Sequence, residues 1–197
     1  MFTPRYVILF SGHMVDAPGR PVPRFPPSRV PLAAQAIADS LDAMGADARD
    51  LALTQGAAGG DILFAEAALA RGVRLQLMLP LPEPEFIRRS ILPSADGKAW
   101  QARYEALRER LATLPQVLPD DPAAHHEAAA SVFERCNEWL LGTAFANGEE
   151  KVRFICLWDG GGGDGPGGTR HMLEEVQRHH GLVDWIDLGA LQDPQGS

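Results

Sequence analysis

Short, mostly apolar runs of four to seven residues recur along the sequence, with glycine, proline or charged residues at their ends. Runs of this length predict strands, and apolar residues at consecutive positions are typical of strands covered on both faces of a sheet. Five runs fit this description: residues 6–10, 51–54, 73–79, 152–158 and 183–188. We therefore expect a sheet of about five strands.

Helical periodicity fills most of the intervals between these runs. Ile37, Leu41 and Met44 recur at i, i+4 and i+7, which predicts a helix between the first two strands. A second helix is expected over residues 62–71, with Asp61 as its N-cap. Strands that alternate with helices form βαβ units with right-handed crossovers. The sequence thus predicts an α/β three-layer sandwich around a mainly parallel sheet.

Residues 82–147 interrupt this alternation, because they are far more numerous than one crossover requires. They predict a helical insertion within a single domain of residues 1–197. Two amphipathic helices are expected there, at residues 98–114 and 123–146, with apolar stripes that include Trp100, Tyr104, Leu107, Leu111, Phe133, Cys136 and Leu140. If the insertion were instead a protein-interaction module, it would expose an apolar face.

The charge balance narrows the choice of partners. With 26 acidic and 18 basic side chains, the chain has a net charge of -8. Such a field repels polyanions, so we expect neither long nucleic acid nor an anionic membrane as a partner. No apolar run reaches the roughly 20 residues of a membrane span, and no secretory signal pattern is present at the start. A small anion such as a nucleotide could still bind, because a long nucleic acid would meet more of the opposing field.

Cysteine and histidine usage indicates neither disulfides nor metal. Cys136 and Cys156 lie in apolar segments without a CxxC spacing, which is typical of a reducing compartment and predicts a cytoplasmic location. Adjacent histidines on a helix point in different directions, so the pairs at 125–126 and 179–180 predict surface histidines. We therefore expect no metal and no cofactor.

Three unusual segments follow predicted strands, at residues 11–26, 54–61 and 159–169. In an open parallel sheet the loops after the strands meet at one edge, where ligands bind. Glycines allow backbone N–H groups to approach a phosphate closely, although they also simply shorten turns. These segments contain the candidate ligand-binding residues Ser11, Gly12, His13, Arg20, Arg24, Gly56, Gly59, Gly60, Asp61, Asp159, Gly167, Gly168 and Thr169.

The first 30 residues are locally basic, with Arg5, Arg20, Arg24 and Arg29 against the single acid Asp16. Guanidinium groups suit bidentate contacts with phosphate, and neighbouring prolines stiffen the loop that carries them. The alternative is that these arginines are solvated or paired with surface carboxylates.

Several short motifs resemble the SLOG superfamily, Rossmann-like domains related to DNA-processing protein A and to LOG-type phosphoribohydrolases. The motifs are Ser11-Gly12, Gly56-Ala-Ala-Gly-Gly60-Asp61, Glu66-Ala-Ala-Leu69 and the strand end Met78-Leu-Pro80. The segments 12–16, 24–26 and 158–169 are similar to a bacterial branch found beside TPR repeats and nucleotide cyclases. The resemblance implies a module that binds or senses a phosphorylated nucleoside or a derivative, and leaves a homodimer open.

The same resemblance implies an alternative enzyme, one that cleaves an N-glycosidic bond. LOG-type hydrolases carry Pro-Gly-Gly-x-Gly-Thr-x-x-Glu, whereas this chain reads Pro166-Gly-Gly-Thr-Arg-His-Met-Leu-Glu174, in which the second glycine pair is collapsed and the acid is displaced. Cleavage of a ribosyl bond requires a carboxylate close to the developing charge on the sugar. The candidate catalytic residues are Glu66, Asp159 and Glu174, with Asp164 as a further carboxylate; turn or helix-surface roles remain the alternative for each.

Overall fold

The computed structural model of the protein describes residues 2–119, 132–161 and 168–191. All five expected strands form, each within two residues of its predicted bounds. The strands are β1 (Val7–Gly12), β2 (Leu51–Thr54), β3 (Arg74–Leu79), β4 (Gln116–Val117), β5 (Val152–Trp158) and β6 (Leu182–Asp187). The helices are α1 (Val30–Ala43), α2 (Gly60–Ala70), α3 (Glu83–Ser90), α4 (Gly97–Arg110), α5 (Val132–Phe145) and α6 (Thr169–Arg178), with short 3-10 helices at Pro27–Arg29 and Glu149–Lys151.

These strands form one parallel sheet in the order β4-β3-β2-β1-β5-β6. From β1 the chain builds outward to β4, and it then returns to place β5 on the other side of β1. The strand order therefore reverses beside β1. The loops after β1, β2 and β5 leave the sheet at the same edge, which is where open α/β sheets bind ligands.

Helices cover both faces of the sheet. Side chains alternate along β1, so that Ile8 and Phe10 pack in one core cluster and Val7 and Leu9 in the other. The first cluster includes α1, α2 and α4, and the second includes α5 and α6. The first four side chains of β1, Val7 to Phe10, are all buried, and for this reason they are all apolar. The predicted α/β three-layer sandwich is confirmed, with one strand more than expected.

The sequence analysis did not predict α6, nor did it predict β4 and α3. β4 has only two residues, too few to give a recognisable pattern. α3 begins after Pro82 and carries Pro84 in its first turn. Prolines suit the first turn of a helix, whose N–H groups have no partner within the helix, but in a sequence they equally indicate a turn.

The insertion packs its apolar stripes inward. Phe86, Trp100 and Tyr104 enter the first cluster, and Cys136 and Leu140 enter the second. Since these stripes are buried, the described part of the insertion does not support an interaction module. The predicted helix 98–114 ends earlier, at residue 110; that at 123–146 is described from residue 132 to residue 145, while 120–131 lie outside the described residues. None of the described helices is long and apolar enough to cross a membrane.

The start of α2 differs from the prediction. Asp61 is not its N-cap: the helix begins at Gly60, and Gly59 occupies the cap position with φ +114°. An N-cap side chain accepts hydrogen bonds from N–H groups further along the helix. The carboxylate of Asp61 instead turns back and accepts from the N–H groups of Gly56 and Ala57, both at 3.1 Å.

Candidate functional site

A cavity of about 370 Å³ lies at the carboxyl edge of the sheet, beyond β1 and β2 and beside the first turn of α6. We call it the edge cavity. It brings together the predicted residues Ser11, Gly12, His13, Arg20, Arg24, Asp61, Gly168 and Thr169. Its other lining residues, which the sequence analysis missed, are Phe10, Met14, Gln55, Ala57, Ser90, Phe133 and Asn137.

The glycines after β2 hold two loops together instead of lining the edge cavity. The N–H of Gly60 donates to the carbonyl of His13 at 3.1 Å, and the N–H of Val15 donates to the carbonyl of Ala58 at 3.1 Å. A Cβ on Gly59 would lie 2.7 Å from the backbone nitrogen of Val15. Gly59 and Gly60 thus pack the two loops together, while the N–H of Gly56 donates to Asp61. None of the three lines the edge cavity, and ligand binding by them stays a prediction.

A charged cluster joins the loop after β1 to the loop after β5. Nε of Arg24 lies 3.2 Å from Oδ2 of Asp159, and Nε2 of His13 lies 3.1 Å from Oδ1 of the same carboxylate. Nη2 of Arg24 also lies 3.2 Å from Nε2 of His13. Partial burial alone would raise the pKa of Asp159, but hydrogen bonds from Arg24, the Gly161 N–H and His13 hold it well below its usual range. Asp159 therefore stays ionised and orients the side chains of Arg24 and His13.

Asp16 positions the loop that carries the arginines. It is 6% exposed, and its Oδ2 accepts hydrogen bonds at 3.0 Å from the backbone N–H groups of Arg24 and Phe25. Its Oδ1 lies 3.5 Å from Nε of Arg20. Phe25 is fully buried, so its side chain anchors this end of the loop in the core. The sequence analysis treated Asp16 only as a countercharge.

The basic opening segment divides between two ends of the sheet. Arg20 and Arg24 line the edge cavity, as predicted. Arg5 instead makes an ion pair with Asp50 before β1 and β2, and Arg29 donates to the carbonyl of Leu188. Because Arg5 precedes its strand, it lies at the amino edge and cannot contribute to the cavity.

Asp61 is the carboxyl group that lines the edge cavity among the described residues. Burial raises its pKa to about 7, although the N–H groups of Ala57 and Gly56 oppose the shift. A carboxyl group with this pKa exchanges protons near neutral pH, which is the property of a general acid or base. Because Oδ2 accepts two hydrogen bonds, a proton on this side chain belongs on Oδ1.

Polar side chains of other kinds complete the wall. The hydroxyls of Ser11 and Thr169 lie 2.9 Å apart and join β1 to the first turn of α6. Nε2 of Gln55 donates to Oδ1 of Asn137 at 2.7 Å, which joins the end of β2 to α5. Glutamine and asparagine in these positions carry no sequence signature, and only the docking of α5 brings them to the edge.

The predicted catalytic carboxylates do not line this cavity. Glu66 makes an ion pair with Arg103 on α4, and Glu174 makes one with Arg170 on the surface of α6. Asp159 contacts the cavity residues His13 and Arg24 but is not itself in the wall. Asp164 and Gly167 lie outside the described residues.

Fold and cavity together define an α/β protein with a ligand-sized site at the carboxyl edge of a parallel sheet. No protein-family model matches this chain, and no curated protein matches it. The resemblance to SLOG domains therefore stays a prediction that depends on short motifs.

Proposed function

We propose that the protein is a SLOG-type module that binds or senses a phosphorylated nucleoside or a derivative in the edge cavity. The observation that carries the proposal is the meeting of Arg24, Arg20 and His13 with the amino end of α6 at one cavity. The first N–H groups of a helix have no partner within it, and they carry partial positive charge. Guanidinium groups beside such a helix end are suited to a phosphate.

The local charge explains how an acidic protein attracts an anion. Arg24 and Arg20 both line the cavity, and Nε of Arg24 lies 3.2 Å from its partner Asp159. Both contacts of Arg20 within the described residues use Nε, so its terminal Nη groups can turn to a ligand. A volume of about 370 Å³ falls within the range of small-molecule sites.

The two cysteine thiols support a proposal for the cellular location of the protein. Cys136 and Cys156 are both buried and unbonded to each other, and burial raises the pKa of each thiol to about 12. Buried thiols of this kind serve as small apolar side chains. With no long apolar helix among those described, we propose a cytoplasmic location.

Calorimetric titration of the whole chain tests the proposal. The panel contains nucleoside mono-, di- and triphosphates, ADP-ribose and ribose 5-phosphate. We expect binding by at least one of them, weakened about tenfold or more by Arg24→Gln, since a charge-assisted hydrogen bond is lost. Arg49→Gln is the matched control, because Arg49 pairs with Asp47 at the surface. Absence of heat with every ligand at millimolar concentration would contradict the proposal.

A second candidate function, an N-glycosidase, is favoured by one observation: the ionisable carboxyl of Asp61 in the cavity wall. In this reaction the bond from C1′ to the base breaks, water adds its hydroxyl to C1′, and the base leaves with a proton. Asp61 would move that proton. Free base released from a nucleoside monophosphate, and abolished by Asp61→Asn but not by Glu66→Gln, distinguishes this enzyme from a binding module.

A further inference from the structure

The edge cavity has two chemically different halves. Its β5 half contains Arg24, with its Asp159 partner, and the first turn of α6. Its β2 half contains the uncharged side chains of Gln55, Phe133 and Asn137, together with Asp61, whose carboxyl accepts hydrogen bonds from the loop after β2. β1 separates the two strands, and adjacent strands lie about 4.8 Å apart, so the halves are centred roughly 10 Å from each other.

Helix α5 contributes two side chains to the β2 half. Phe133 and Asn137 are four residues apart, so they lie on the same face of the helix. Both are half-buried and both line the cavity. The guanidinium of Arg89 lies 5.3 Å from the centre of the Phe133 ring, which covers part of the ring and helps to orient it.

Gln55 supplies the hydrogen-bonding capacity of this half. Among the described residues its side chain makes one hydrogen bond, from Nε2 to Oδ1 of Asn137 at 2.7 Å. A carboxamide has two donor hydrogens and an acceptor oxygen. One N–H and Oε1 of Gln55 are therefore left for a ligand, while Asn137 fixes the orientation of the group.

We propose that Gln55 and Phe133 recognise the nucleobase of the ligand, with Asn137 as a positioning residue. The inference rests on the proposed function, since it assumes that the phosphate occupies the half with Arg24. A base is planar and uncharged, and its edge presents donors and acceptors side by side. The remaining N–H and oxygen of Gln55 match such an edge, and the Phe133 ring offers an apolar surface for contact with the base. The ligand class is then a nucleoside phosphate and not a simple sugar phosphate.

Titration of the whole chain with a nucleoside 5′-monophosphate and with ribose 5-phosphate tests this division of the site. The nucleotide used is the one of AMP, GMP, UMP and CMP that binds best. We expect Gln55→Ala to weaken its binding about tenfold and to leave ribose 5-phosphate unchanged, because only the base loses a partner. Gln35→Ala is the matched control: Gln35 bonds Asp39 at an exposed position of α1, and its loss should change neither ligand.

Two further variants separate recognition from folding. Gln55→Glu keeps the size of the side chain but exchanges a donor for an acceptor, so the order of preference among the four bases should change. Phe133→Leu should weaken all four nucleotides together and leave ribose 5-phosphate binding intact. Thermal unfolding of each variant shows whether the fold is retained.

Three results of these titrations would each contradict a different claim. Equal affinity of the unchanged protein for ribose 5-phosphate and for the nucleotides would overturn the base-recognition role while leaving anion binding in place. Equal weakening of both ligands by Gln55→Ala would likewise reduce Gln55 to a structural residue. If neither ligand class binds, the proposed function fails, and this inference fails with it.

Discussion

The two edges of the sheet each hold an arginine–aspartate pair, and the two aspartates differ in burial. At the amino edge, Arg5 contacts fully buried Asp50 through Nε at 2.9 Å and Nη2 at 2.6 Å. Asp50 also accepts from the backbone N–H groups of Tyr6 and Asp47. At the carboxyl edge, Arg24 contacts Asp159 through Nε at 3.2 Å, and the Asp159 side chain is 23% exposed.

This difference separates a structural pair from a binding one. A carboxylate that accepts four hydrogen bonds in the interior has no capacity left for a ligand, and its guanidinium partner is held in place. Arg24 lines a cavity, and both it and its partner Asp159 are partly exposed. The same two residue types therefore stabilise the fold at one edge and present charge at the other.

The largest expected effect is at the amino edge. Asp50→Ala should lower the free energy of unfolding by about 3 kcal/mol, because two N–H groups and a guanidinium lose their acceptor. Asp159→Ala, at the exposed pair, should cost less than about 1 kcal/mol. Urea denaturation of both variants measures the contrast, and equal losses would break the comparison between the edges.

Asp61, a buried carboxyl that accepts hydrogen bonds from the N–H groups of Gly56 and Ala57, should make stability depend on pH. Its folded pKa of about 7 lies above the usual value of 3.8, so the stability that it contributes is complete below about 4 and is lost as the pH rises through 7. Between pH 5 and pH 8 the loss should be about 2.5 kcal/mol. Denaturant titrations of the unchanged protein and of Asp61→Asn test this. If the difference in stability between the two proteins is the same at both pH values, Asp61 does not have the raised pKa.

Asp16 provides a further test of the comparison between the two edges, because it holds the loop that carries Arg24. Asp16→Ala should cost about 1 to 2 kcal/mol, since the N–H groups of Arg24 and Phe25 lose their acceptor. It should also weaken anion binding, because Arg24 is no longer held at the cavity. Asp16→Asn keeps an acceptor oxygen and should restore most of both properties. Stability measurements and calorimetry on the pair of variants would show whether Asp16 positions the loop or merely balances charge.

The smallest effect is expected at Glu66. Its ion pair with Arg103 is about one-third exposed on both sides, and pairs of this kind contribute little. Glu66→Gln should change stability by no more than about 0.5 kcal/mol and leave ligand binding unaltered. A loss of ligand affinity in this variant would mean that Glu66 takes part in ligand binding, although it does not line the cavity.

The sheet was predictable from sequence because its strands are covered on both faces, which makes runs such as 152–158 mostly apolar. The loop residues Ser11, His13, Arg24 and Thr169 were predictable because loops after parallel strands meet at one edge. Arg5 could not be distinguished from Arg24 by composition. Only their positions before and after β1 place them at opposite edges.

The residues that the sequence analysis missed depend on tertiary packing. Phe133 and Asn137 reach the cavity because α5 docks across the end of β2, and no local pattern specifies that docking. Asp61 was predicted as a site residue, and it lines the cavity. Its predicted role as the N-cap of α2 was wrong, because an acidic residue near a helix start is usually a cap. Its carboxylate turned toward the preceding loop instead, where the N–H groups of Gly56 and Ala57 are available.

The contact between Gly59 and the backbone of Val15 has a consequence for the energetics of recognition. Two segments that would otherwise move independently are locked against each other when the chain folds, so their conformational entropy is lost before any ligand arrives. Ligand binding then requires little further ordering of the two segments that carry Val15 and Gly59. A bulkier residue at position 59 would force the segments apart, and part of that entropy loss would shift from folding to ligand capture.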